Sequence, residues 1–67
     1  MDIDLIDNIC RDLITTKNLA RLKEQYNIGN TINTLIDRYR IDTNELKEGD
    51  AGLVHNCNVI AKKIREA

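Results

Sequence analysis

Large apolar residues recur along this chain at helical spacing. The cleanest case is Asn30–Tyr39, where Ile32, Leu35, Ile36 and Tyr39 stand at i, i+3, i+4 and i+7, one face of an α-helix. The opposite face carries Asn30, Thr34, Asp37 and Arg38. A helix of this kind buries one side and leaves the other free for contact. The pattern predicts a helix from Asn30 to about Arg40, with Asn30 as its cap. The turn before it is assigned to Asn27, Gly29 and Asn30, with Gly29 in the left-handed conformation that ends the preceding helix. Ile28, inside that turn, is expected to pin it to the core.

Upstream, Ile3, Ile6, Cys10 and Leu13 form one stripe, with Ile9 and Ile14 on its flanks and Leu5 off its centre. Asp2 or Asp4 can cap this helix, and acids in a first turn suit the helix dipole. Leu19, Leu22 and Tyr26 form a second stripe. At about 100° per residue it points roughly opposite to the first. A break is therefore expected across Thr15–Asn18, whose short polar side chains bond readily to backbone. The alternative is one continuous helix buried on both sides within a dimer. Downstream, Asp42 and Glu45 have a spacing like that of a capping box. Residues 43–48 fit a single helical turn closed by Gly49, and Asp50 can cap a last helix. That helix has the stripe Leu53, Cys57, Ile60 and Ile64, flanked by Val54 and Ala61. The sum is one all-α domain over residues 1–67, a small bundle of three to four short helices, closed within one chain or completed by dimerisation. Short helices do not persist alone, so Ile36→Ala or Ile60→Ala is expected to cost about 2–5 kcal/mol.

Composition narrows the picture. At 67 residues there is room for one domain, of marginal stability unless it is stapled or oligomeric. The apolar supply is almost wholly Ile, Leu and Val, with two Tyr and no Phe, Trp or Pro. The net charge of −1 argues against a generic basic nucleic-acid binder. The charges fall in blocks: residues 1–12 carry −3, 13–40 carry +3, 41–50 carry −3 and 51–67 carry +2. Helix-end preferences explain such blocks, and the competing explanation is a functional basic patch. An acidic start without a long apolar run does not read as a signal peptide, and no stretch reaches the length of a membrane span. A cytoplasmic protein is expected, with no membrane partner and with Cys10 and Cys57 reduced.

Candidate catalytic chemistry is sparse. His55, the lone histidine, falls on the polar side of the last helix with no nucleophile placed beside it by a motif. Cys57 is two residues away, on another face, whereas ligands sharing a helix want spacings of three or four. Cys10 and Cys57 lie on inward stripes and read as core thiols, although the first and last helices could bring them within reach of a disulfide. Asp2, Asp4 and Asp7 are spread around a helix start, which suits capping better than a metal. The segment DTNELKEGD fails as a calcium loop, with Leu46 at a ligand position and Lys47 where glycine is required. No phosphate-binding, dinucleotide or nucleophile-elbow motif occurs. An enzyme is not expected, nor a cofactor, a metal or a small-molecule substrate.

Two binding functions remain. The stretch NLARLKEQYNIGNTINTLIDRYR has the outline of a helix-turn-helix. Its second helix offers Asn30, Thr31, Asn33 and Thr34 to base edges or phosphates, and Arg21, Lys23, Arg38 and Arg40 to the DNA backbone. Against this, the small-residue positions of that motif are unfilled, the spacing from Ile28 to Ile32 is one residue short, and Asp37 sits on the recognition helix. The favoured expectation is a small regulator, inhibitor or adaptor that binds a partner protein or itself as a homodimer. In that case Leu5 and Val59, off the core stripes, leave apolar surface for contact.

Overall fold

The computed structural model describes all 67 residues. Four helices form, with no strand: α1 over Asp2–Thr15, α2 over Leu19–Tyr26, α3 over Ile28–Tyr39 and α4 over Leu53–Glu66. Single 3-10 turns at Thr43–Glu45 and Asp50–Gly52 interrupt the connection between α3 and α4. The fold is the all-α bundle that the periodicity predicts. The break between the first two stripes falls where the polar residues place it. Thr16 Oγ accepts the Asn18 N–H, and the Asn18 side chain accepts the Arg21 N–H at 3.1 Å, capping α2. The continuous-helix alternative is not adopted.

The junction of α2 and α3 differs from the expected turn. It is one residue long. Asn27 takes the left-handed conformation at φ 49°, ψ 53° and serves both helices. Gly29 and Asn30 lie inside α3, so neither ends nor caps a helix here. The reason is Ile28. It precedes Ile32 by four residues and continues the same stripe, and burying it, to 2% exposure, extends α3 backward by most of a turn. Asn tolerates the left-handed region better than other residues bearing a Cβ, so the reversal moves onto Asn27. α3 ends on a second left-handed residue, Arg40 at φ 51°. The Ile41 N–H then reaches back to the Ile36 carbonyl at 3.0 Å, a Schellman-type closure that buries Ile41.

Two expected caps, those of α1 and α4, are replaced, and a third is kept in part. Neither Asp2 nor Asp4 caps α1; Met1 occupies the cap position without a side-chain bond. Asp42 does accept the Asn44 N–H at 2.9 Å, but the Glu45 carboxylate turns away to Lys63 at 3.4 Å. Asp50 opens a 3-10 turn instead of capping α4, and it pairs with Lys23 at 2.9 Å. Gly49, at φ 78°, precedes that turn. The whole connection is clamped by Asn56. Its side-chain oxygen accepts the Lys47 N–H and its amide donates to the Lys47 carbonyl, both at 2.8 Å. Gly52 lies under the same segment, where a Cβ would stand 2.7 Å from Lys47 Cβ.

Ile6, Ile9, Ile28, Leu35, Cys57 and Ile60 are fully buried. α4 packs chiefly on α1 and runs in the opposite sense, since Cys57 near its start meets Cys10 while Arg65 near its end reaches back to Asp7 at 2.7 Å. Ile9, expected on a flank, is central, whereas Ile14 is 69% exposed. Ile36 and Val59 are half-buried against the core. The charge blocks find one another: Arg38 meets Asp2, Arg65 meets Asp7, Lys63 meets Glu45 and Lys23 meets Asp50. Each pair joins an acidic block to a basic one, an explanation that neither helix-end preference nor a basic patch anticipated.

Candidate interaction site

The residues singled out from the sequence separate into three groups. Asn30, Asn33 and Thr34 are exposed along the outward face of α3, in its N-terminal half. Thr31 is half-buried and its hydroxyl donates to the Tyr26 carbonyl at 2.8 Å, tying α3 to the end of α2. This half of α3 therefore presents amides and hydroxyls without charge until Asp37.

Arg38 is engaged. Its Nη1 stands 2.9 and 2.7 Å from the two carboxylate oxygens of Asp2, and the Tyr39 hydroxyl donates to Asp2 Oδ2 at 2.8 Å. The Arg38 hydrogen bond, and then that of Tyr39, hold the Asp2 carboxyl below its ordinary range. The same contacts push the Arg38 guanidinium and the Tyr39 phenol up. Arg40, exposed, forms the left-handed end of α3. On α2, Lys23 is held by Asp50, and Arg21 is exposed beside Glu24 and Gln25 around a shallow hollow. Among the four expected phosphate contacts, Arg21 and Arg40 are thus exposed. The other two already have carboxylate partners.

Between α1 and α3 runs an open groove of about 340 Å³. Asp2 and Leu5 form the α1 side; Asn27, Asn30, Thr31, Thr34, Leu35 and Arg38 form the other. Its Leu5 wall is 36% exposed. The position of Leu5 off its stripe signalled free apolar surface. Asp2 was read as a cap, because nothing in the sequence links it to Arg38, which lies 36 residues further on. Asn27 went unnoticed as a groove residue because it was read as part of a three-residue turn with Gly29 and Asn30, with the left-handed position on Gly29.

Elsewhere, a hollow of about 530 Å³ is lined by Glu45, His55, Val59, Lys62, Lys63 and Glu66. The half-buried His55 donates from Nε2 to the Glu45 carbonyl at 2.9 Å, so this side chain steadies the first 3-10 turn. Cys10 and Cys57 are free, buried neighbours across the α1–α4 interface. Burial, then the Cys10 sulfur, pushes the Cys57 thiol up to about 12, and burial also raises Cys10. A thiol so disposed is a poor nucleophile at neutral pH. No three His, Cys, Asp or Glu side chains gather to hold a metal ion. No helix is long and apolar enough to cross a membrane. The chain matches no family model, no curated protein and no solved structure.

Proposed function

We propose that this chain is a non-enzymatic interaction module that docks on a partner protein through the outward face of α3 and the groove beside it. One observation carries the reading. The neutral polar residues Asn30 and Thr34, exposed on α3 with Asn33 beside them, line a groove with an exposed leucine wall and an arginine paired with Asp2. Amides, hydroxyls and one apolar wall suit a polypeptide, which brings backbone donors and acceptors together with apolar side chains. As a regulator, inhibitor or adaptor, such a module acts by occupying its partner's surface. A second copy of the chain is one such partner.

The helix-turn-helix reading keeps its outline in α2, Asn27 and α3, and the exposed Asn30, Asn33 and Thr34 favour it. It has less support, because Lys23 and Arg38 are neutralised by Asp50 and Asp2 and Asp37 shares the helix. Photo-crosslinking separates the two. A benzophenone side chain replacing Asn33 or Thr34 is expected to give discrete protein adducts in cells, and one replacing Asn58 on the exposed part of α4 should give none. Adducts to nucleic acid, or labelling that does not depend on position, would overturn the docking reading. A salt-sensitive mobility shift on DNA that weakens with Arg38→Ala would establish the alternative.

A further inference from the structure

Asp2 is held as a ligand would be held. Three donor–acceptor contacts from two adjacent α3 residues converge on its carboxylate, at 2.9, 2.7 and 2.8 Å. Its side chain is 23% exposed, and Arg38, at 54%, stays open to solvent on its far side. Asp2 is also the first residue of α1, in a first turn without a side-chain cap, and Met1 before it is 95% exposed. Few contacts therefore keep this carboxylate in place apart from Arg38 and Tyr39. It sits at one end of the groove, with the Leu5 and Leu35 side chains and the Asn30 and Thr34 polar groups further along.

We infer that Arg38 and Tyr39 form a carboxylate receptor at the end of the α3 groove, occupied by Asp2 in the free protein and by an acidic residue of a partner peptide in the complex. The inference rests on the docking reading above and names the chemistry of the partner. A segment alternating acidic and apolar residues fits. Its carboxylate replaces Asp2 on Arg38 and Tyr39, its apolar side chain covers Leu5, and its backbone meets Asn30 and Thr34. Arginine with a second donor is a favourable setting for a carboxylate. Because the same donors are already satisfied internally, Asp2 is a competitor. It lowers affinity for any acidic segment and selects against peptides that cannot displace it. An exposed ion pair is weak enough to be exchanged.

The test uses the full chain labelled with nitrogen-15 and an acetylated, amidated peptide Glu-Leu-Glu-Leu-Glu-Leu, followed by NMR. The expected result is a set of shifts confined to the start of α1 and to α3. Binding should be about threefold tighter to Asp2→Asn, on the scale of losing one exposed competitor. It should be lost in Arg38→Met and weakened in Arg38→Lys, which keeps the charge and loses the planar fork. The analogue with Gln in place of Glu should not bind. Unchanged core resonances show that each variant is folded, and Arg38→Lys serves if Arg38→Met is not. No binding of the acidic peptide to either the parent or Asp2→Asn, equal binding of the Gln analogue, or tighter binding of a short DNA duplex would each overturn the inference. If the peptide fails while crosslinks at Asn33 and Thr34 still capture a protein, the docking face stands and the acidic chemistry falls. If both fail, both readings fall.

Discussion

At the scale of single residues, the chemistry of this protein is a set of carboxylates answered by tyrosine and arginine. Asp2 is held below its ordinary value of 3.8, first by Arg38 and then by Tyr39. Its contribution to stability is therefore complete above that value and is lost as the pH falls through the lower folded one. Seen from the other side, Tyr39 is raised by Asp2, and Tyr26 is raised by its hydrogen bond to Asp12. The stability each phenol lends is present below its ordinary 10.0 and is lost as the pH rises through the folded value. Two measurements follow. The difference in urea midpoint between the parent and Asp2→Asn should hold steady from about pH 5 to 9 and shrink once the Asp2 carboxylate is protonated. Absorbance of the two tyrosines, free of tryptophan, should titrate at higher pH in the folded chain than in concentrated urea. Coincident titrations would remove the claim that both phenols donate to carboxylates.

At the scale of elements, helix existence was legible and helix ends were legible only where a local side chain makes them. Asn18 caps α2 with a bond three residues long in sequence, and the polar cluster Thr15–Asn18 announced it. The α2–α3 reversal was misplaced because its position depends on whether Ile28 enters the core, a tertiary fact. Gly29 was the locally favoured choice and lost to that burial. Asn56 was invisible for the same reason, since its partner Lys47 belongs to an irregular segment with no pattern to read. Arg38 was legible as an arginine on a polar flank, but its partner Asp2 at the start of α1 could not be read. The left-handed residues provide a direct check. Arg40 adopts φ 51° with its side chain in solvent, where a Cβ costs roughly 1–2 kcal/mol and glycine's added chain entropy returns part of it. Arg40→Gly should therefore raise stability by about 0.5–1 kcal/mol, read as a higher urea midpoint with an unchanged slope. Asn56→Ala should act oppositely. It strands the Lys47 N–H and carbonyl, at a cost of about 1–3 kcal/mol, and hydrogen exchange across residues 43–52 should accelerate more than exchange in α1.

At the scale of the whole molecule, two kinds of force tie distant parts of the chain together, and they differ in weight. Four ion pairs join the charge blocks, but their partners are largely solvent-exposed, and exposed pairs contribute little and are screened by salt. The aliphatic core draws on all four helices and is dry at Ile6, Ile9, Ile28, Leu35 and Ile60. For a chain this short, total stability is a few kcal/mol, so a single fully buried isoleucine is a large share of it. Ile60, at 0% exposure, should cost about 2–5 kcal/mol when cut to alanine. Ile36, expected from the stripe to cost as much, is only half-buried and should cost less. The decisive comparison sets Ile60→Ala against 1 M sodium chloride, where the Debye length shrinks to about 3 Å. Salt should move the urea midpoint of the parent far less than Ile60→Ala does. If salt proved the more damaging of the two, the fold would be held by its cross-block charges, and the pairing of Arg38 with Asp2 would be a structural tie, not an exchangeable occupant of a groove.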